Sequence, residues 1–149
     1  MPSILPYMLL AVVAGFCLPT QAGINSQLNL WTRSPVLAAA ISFAVGTAVL
    51  VLFALVARIP LPAGEEVSQH PWWIWIGGFV GAFYVGSTIV LAPRLGAASM
   101  VSTVVAGQMI ASLVLDHYGL IGYSVHPVSW LRVMGVLLLV GGVVMIRVF

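Results

Sequence analysis

Four side chains that can form hydrogen bonds recur every fourth residue near the start of the chain: Cys17, Gln21, Asn25 and Asn29. Residues four apart share one face of an α-helix, so these four would form a polar stripe. The surrounding sequence is uncharged and largely apolar. Because an amide in hydrocarbon is costly without a partner, we predict that Gln21 and Asn25 either line a cavity and contact a solute, or tie two helices together.

Pro19 lies between the first two positions of this stripe. A proline inside a helix donates no backbone hydrogen bond and kinks the helix, which would free the carbonyl of Gly15. A kink at Pro19 beside two amides at a similar depth favours a lined cavity over a simple tie between helices.

Gln108 is the second candidate, and it follows Gly107 in a stretch rich in serine, threonine and alanine. Small residues allow helices to approach closely, so helix packing explains most of that stretch without a site. Gln108 is the exception. Tyr84 and Ser42 are added as possible solute contacts, although both fit a packing role as well.

Asp116 and His117 stand at the end of the same apolar run. Ionisable groups near a membrane span are candidates for function, and histidine titrates near neutral pH, so the pair is a possible site of proton coupling. The alternative is a solvated helix end. The sequence places no acidic residue in the middle of an apolar run, which weakens the case for exchange of protons against cations.

Composition indicates the elements that position these residues. The chain has 149 residues, of which 62% are hydrophobic and 5% charged, whereas a soluble domain is about 25% charged. Each run of roughly 20 apolar residues can cross a bilayer as a helix. We predict an all-α membrane protein, a single transmembrane domain (1–149) of five helices, at about 3–30, 35–57, 72–92, 97–115 and 128–147. Only 58–71 is long enough for a sizeable loop.

Other functional classes find little support. The serine, histidine and aspartate residues form no recognisable nucleophile motif, so we predict no enzyme. The three histidines lack the spacing of metal ligands, and a single cysteine cannot form a thiolate metal cluster. The sequence also shows no nucleotide fingerprint. A net charge of +2 is too small for nucleic acid. We therefore predict no cofactor, no metal and no nucleic-acid partner.

The arginines give almost no bias for orientation. With five spans, Arg58 and Arg132 fall on one side of the membrane, against Arg33, Arg94 and Arg147 on the other. Since the side richer in arginine and lysine normally faces the cytoplasm, this near-tie predicts insertion in both orientations and an antiparallel homodimer. The alternative is a fixed orientation, alone or beside a related chain.

Several blocks of sequence resemble the YdcZ-like family of the drug/metabolite transporter superfamily. They are Gly15-x-x-x-Pro19-x-Gln21-Ala22-Gly23-Ile24-Asn25, Ile41-Ser42-Phe43-x-Val45-Gly46-Thr47, Pro71-Trp72-Trp73-x-Trp75-x-Gly77-Gly78, Ala92-Pro93-x-Leu95-Gly96-Ala97 and Gly107-Gln108-x-x-x-Ser112-x-x-x-Asp116-His117-x-Gly119. The resemblance covers nearly the whole chain.

This resemblance implies a five-helix half of a ten-helix, inverted-repeat transporter, located in a bacterial inner (cytoplasmic) membrane. It supplies a fold more firmly than a substrate, and no established binding residues. The function we expect is transport of a small solute by alternating access. The alternatives are a scaffold or accessory subunit that transports nothing, or one half of a heterodimeric transporter.

Overall fold

The computed structural model describes residues 4–60 and 70–149, and all the regular structure within them is helical. Five of the helical segments are long and apolar enough to cross a membrane. The prediction of an all-α protein with five candidate spans is therefore confirmed. Ser3, where the first predicted helix begins, and most of the predicted loop 58–71 lie outside the described residues.

The helices are α1 (Leu5–Thr32), α2 (Pro35–Val56), α3 (Gly77–Leu95), α4 (Ala97–Tyr118) and α5 (Trp130–Val148). A 3-10 helix at Trp72–Ile76 leads directly into α3, and a second at Leu120–Gly122 follows α4. The chain divides into two compact units, residues 1–93 and 94–149, with the boundary in the last turn of α3.

Local sequence explains where the helices of the first unit begin and end. Arg33 ends α1 in a left-handed conformation (φ 53°), and its N–H donates to the carbonyl of Asn29 at 2.8 Å. Ser34 then caps α2 by accepting a hydrogen bond from the N–H of Leu37 at 3.3 Å. Pro35, with its fixed φ, is suited to the first turn. A two-residue turn therefore joins α1 to α2.

The core of the first unit is small and lies where α2 meets α3. It consists of Ala38 and Ala39 on α2 with Val85 and Ile89 on α3, and Leu28 and Tyr84 pack against it. Alanine side chains let two helices approach closely, as is usual in membrane bundles. Most large apolar side chains elsewhere are exposed, which suits helices whose solvent is lipid.

The second unit consists mainly of α4 and α5, which pack against each other. Gly119 ends α4 in a left-handed conformation (φ 60°), with its N–H donating to the carbonyl of Leu115. Ser129 caps α5 by accepting from the N–H of Arg132 at 3.3 Å. The connection between the helices is held to α4 by the N–H of His126, which donates to the carbonyl of Asp116 at 2.8 Å.

Candidate functional site

Two asparagines on α1 each have a buried side-chain atom that forms no hydrogen bond with the described residues. Asn25 is only 3% exposed and Asn29 is half-buried. Within residues 4–60 and 70–149, neither Nδ2 of Asn25 nor Oδ1 of Asn29 has a hydrogen-bond partner. A buried polar atom without a partner costs about 1–3 kcal/mol. The pair therefore offers one donor and one acceptor, a single helical turn apart, to a ligand or to another helix.

Small neighbours on α1 explain why Asn25 is enclosed. Ala22, one turn earlier, is also buried. The hydroxyl of Ser26 donates to the carbonyl of Ala22 at 2.8 Å and lies 3.4 Å from the carbonyl of Ile89 on α3. This face of α1 therefore packs tightly, and Ser26 satisfies its own hydroxyl where Asn25 does not.

Gln21 and Ser42 line one groove, although they come from different helices. The groove between α1 and α2 has a volume of about 240 Å³ and is otherwise lined by Phe43, Gly46, Thr47 and Leu50. Gln21 itself is exposed, one turn before the buried Asn25. The structure thus brings two predicted solute contacts together, with the hydroxyl of Thr47 as an addition.

The positions of Tyr84 and Pro19 do not distinguish a role in the site from a role in packing. Tyr84 is half-buried and packs against the core of the first unit, which fits the packing role considered for it. Pro19 lies inside α1, which continues as a helix on both sides of it. Its neighbour Thr20 returns its hydroxyl to the carbonyl of Phe16 at 2.9 Å. The kink at Pro19 stays a prediction.

Gln108 is exposed on α4, in the second unit. Its neighbour Ala106 is buried, whereas Gly107 has open space around the position of a would-be Cβ. An exposed amide on a helix that spans a membrane faces lipid unless something covers it, and hydrocarbon offers it no hydrogen bond. Gln108 thus has an amide that needs a hydrogen-bond partner, as expected of a site residue. Its assignment to the site stays a prediction.

Asp116 and His117 are engaged in different contacts. The carboxylate of Asp116 forms an ion pair with Arg132 at the start of α5, and Arg132 also donates to the carbonyl of His126 at 2.8 Å. His117 accepts a hydrogen bond at Nδ1 from the N–H of Val128 at 3.1 Å. Both side chains therefore hold the 119–129 connection in place. Their possible role in proton coupling stays a prediction.

The sequence predictions do not include the Asp116–Arg132 pair. The signal for it was present, because an acid ends one span and an arginine begins the next after a short connection. Asn29 belongs to the predicted stripe but not to the predicted site. Within the described residues, no three side chains of histidine, cysteine, aspartate or glutamate gather closely enough to hold a metal ion.

Comparison with known proteins gives the family. The model of the DMT_YdcZ family, described as "Putative inner membrane exporter, YdcZ", matches residues 6–145. The chain belongs to the YdcZ family. This confirms the resemblance seen in the sequence, and the match includes every residue proposed for the site.

A curated relative supports the location of this YdcZ-family chain. The "Inner membrane protein YdcZ" of Escherichia coli (strain K12) is 42% identical to it over 53 residues, a stretch that covers 36% of each chain. No solved structure matches. The chain is an inner-membrane protein with five candidate spans, and the description of its family is that of an exporter rather than an enzyme.

Proposed function

We propose that this chain is one half of a transporter that moves a small, polar solute of no net charge across the inner membrane by alternating access. The observation that carries the proposal is the enclosed amide of Asn25, whose Nδ2 has no partner among the described residues. Such groups are rare in folded proteins, and each calls for an explanation. A bound solute that accepts this hydrogen bond provides one.

The chemistry of α1 and α2 indicates the class of solute. Neither helix contains a charged side chain. Nδ2 of Asn25 presents a donor and Oδ1 of Asn29 an acceptor, while Gln21, one helical turn before Asn25, and Ser42 add amide and hydroxyl groups in the groove between α1 and α2. Without a counter-ion, a net charge on the solute would stay uncompensated. A neutral or zwitterionic solute with both donors and acceptors fits this set.

The exposed amides are an argument that a second copy of the chain covers them. Gln21 and Gln108 are both exposed in the single chain, and neither finds a hydrogen bond in lipid. Together with the odd number of spans and the balanced arginines, this supports an antiparallel homodimer of ten helices. A second copy would cover these amides and complete a path between its helices and those of the first. Pro19 would give α1 a point at which to flex.

The test is solute flux into proteoliposomes, measured with a panel of neutral, zwitterionic and charged metabolites. We expect Gln21→Ala and Asn25→Ala each to abolish uptake while the protein still assembles as a dimer. Thr20→Ala is the matched control, because the Thr20 hydroxyl is satisfied by its own helix. Full uptake in both site variants would remove the assignment. No uptake of any solute by the wild-type chain would favour a scaffold or accessory subunit.

The antiparallel arrangement needs its own experiment. A reporter fused to the C-terminus should be found on both sides of the membrane in similar amounts. If the reporter appears on one side only, dual insertion is wrong. Uptake that then requires a second, related chain would point to a heterodimeric transporter.

A further inference from the structure

A second cleft lies between α4 and α5, and none of the proposed solute contacts lines it. Its volume is about 420 Å³. Asp116 and Arg132 line one end, where α4 finishes and α5 starts. The remaining lining side chains are almost all apolar, with one hydroxyl among small and branched residues: Met109, Ser112, Leu113, Gly135, Val136 and Leu139. The cleft thus has a charged mouth and an apolar floor.

The cleft follows the two helices into the membrane span. From Asp116 to Met109 on α4, and from Arg132 to Leu139 on α5, the lining extends over seven residue steps, or roughly 10 Å at 1.5 Å per residue. Gly135 faces open space in this cleft, because a Cβ at that position would meet no atom within 4 Å. The charged mouth stands at the ends of both helices, which is the level of the lipid headgroups.

The charged groups at the mouth retain hydrogen-bonding capacity. A guanidinium has five N–H donors. Arg132 donates one to Asp116 and one to the carbonyl of His126. Among the residues that the structure describes, the other three N–H groups have no hydrogen-bond acceptor. The side chains of Arg132 and Asp116 are 35% and 24% exposed, respectively. An anion can therefore reach the guanidinium, and a cation can reach the carboxylate, without breaking the ion pair.

The geometry points to a binding site for a zwitterionic phospholipid, phosphatidylethanolamine in particular. Its phosphate would accept hydrogen bonds from Arg132, its ammonium would lie against Asp116, and one acyl chain would fill the apolar cleft beside Gly135. Arginine is well suited to phosphate because its N–H groups match the phosphate oxygens in pairs. Basic pockets between membrane helices bind the phosphates of anionic lipid headgroups through such contacts, and here Asp116 adds a partner for an ammonium.

The aspartate selects the headgroup. A phosphatidylglycerol headgroup carries a net negative charge and has no cation for Asp116, so the carboxylate would repel it. Phosphatidylethanolamine has no net charge and offers an ammonium that can donate hydrogen bonds to the carboxylate. The quaternary ammonium of phosphatidylcholine has no N–H to donate. Phosphatidylethanolamine is therefore expected to bind best of the three.

The test is lipid retention by the purified full chain, followed by native mass spectrometry after addition of palmitoyl-oleoyl phosphatidylethanolamine or the matching phosphatidylglycerol. The wild-type chain should bind the first lipid more tightly, by about tenfold, the equivalent of one lost charge-assisted contact. Gly135→Leu fills the cleft and leaves the ion pair intact, and it should reduce retention by a similar factor. Gly141→Leu is the control, since Gly141 also has open space on α5 but does not line the cleft.

Substitutions of the charged residues separate headgroup from acyl chain. Asp116→Asn should remove the preference for phosphatidylethanolamine over phosphatidylglycerol. Arg132→Gln should weaken binding of both lipids, whereas Arg147→Gln at the far end of α5 should change neither. Equal retention by the wild type and Gly135→Leu would overturn the proposal, and so would tighter binding of phosphatidylglycerol by the wild type. Neither result depends on the proposed transport activity.

Discussion

The amides of α1 and the ion pair between α4 and α5 differ in whether their polar atoms have partners. Asn25 is enclosed, yet its Nδ2 has no partner in the part of the chain that the structure describes. Asp116 and Arg132 are partly exposed, yet they bind each other, and Arg132 bonds the 119–129 connection as well. The first region has unmet hydrogen-bonding demand where water is scarce, and the second meets its demand where water is near.

This difference distinguishes a ligand-binding site from a brace, by which we mean a contact that only holds two helices and their connection together. Leaving a buried amide unpaired costs about 1–3 kcal/mol. A ligand that binds only some of the time can offset that cost, which is why we propose the unpaired amides as the solute site. The Asp116–Arg132 pair needs no ligand to be satisfied. It joins the end of α4 to the start of α5. The proposed lipid would bind only to the N–H donors of Arg132 and the carboxylate lone pairs of Asp116 that the ion pair does not use.

The largest expected effect is on transport, from replacing Asn25 with a side chain of similar size and no polarity. Asn25→Leu should reduce uptake in proteoliposomes by at least about tenfold, because the solute loses a hydrogen bond in a dry site. The same change should leave thermal stability unchanged or raise it, by about 1 kcal/mol, since it removes an unsatisfied buried group. Uptake assays and thermal unfolding in detergent measure the two effects.

Only a site residue combines lost uptake with retained stability. Ser26→Ala is the matched control on the same face of α1: its hydroxyl is already bonded, so uptake should be retained. Should Asn25→Leu unfold the protein instead, the amide would belong to the structure, and the contrast with the ion pair would disappear.

The next effect is on stability, and it tests whether the second region is a brace. Gly119 has φ +60°, and a Cβ there would lie 2.7 Å from Cγ2 of Val125 and 3.3 Å from the carbonyl oxygen of Tyr123. Gly119→Ala should therefore destabilise the fold by about 1–2 kcal/mol through the left-handed backbone alone, with more from the contact with Val125. Chemical or thermal unfolding gives the value.

Gly107→Ala is the control on the same helix. Gly107 lies inside α4 with open space around it, so this change should stabilise the helix, by up to about 1 kcal/mol. If the two variants had the same stability, the 119–129 connection would not be held as tightly as its hydrogen bonds indicate.

Periodicity predicted the helices and part of the site, but not the burial of each position. The spacing of Gln21, Asn25 and Asn29 placed them on one face, and that holds in α1. It did not show that Gln21 is exposed while Asn25 is enclosed, because burial depends on which neighbouring helix covers each turn. The contact of Ser26 with the carbonyl of Ile89 shows that α3 covers this part of α1, and those two residues are distant in sequence.

The same limit explains why the ion pair was not foreseen. Asp116 and Arg132 each appeared as a charge near the end of a span, and hydropathy assigns such charges to water. Their pairing depends on how the 119–129 connection turns, with Gly119 and Ile121 both at positive φ. A left-handed isoleucine has no sequence signature, since branched residues rarely adopt that conformation.

The smallest expected effect is the coupling between Asp116 and Arg132, and it decides how much the brace contributes. A double-mutant cycle with Asp116→Asn and Arg132→Gln should give a coupling energy of about 0.5–1 kcal/mol, the upper range for an ion pair that water can reach. If the pair serves only to hold the 119–129 connection, and not the predicted proton coupling, uptake per folded molecule should not change in either single variant. Loss of uptake in Asp116→Asn with the fold intact would instead assign Asp116 to transport. Asp116 would then combine an ion pair with a functional role, and satisfaction of a polar group would no longer distinguish the two regions.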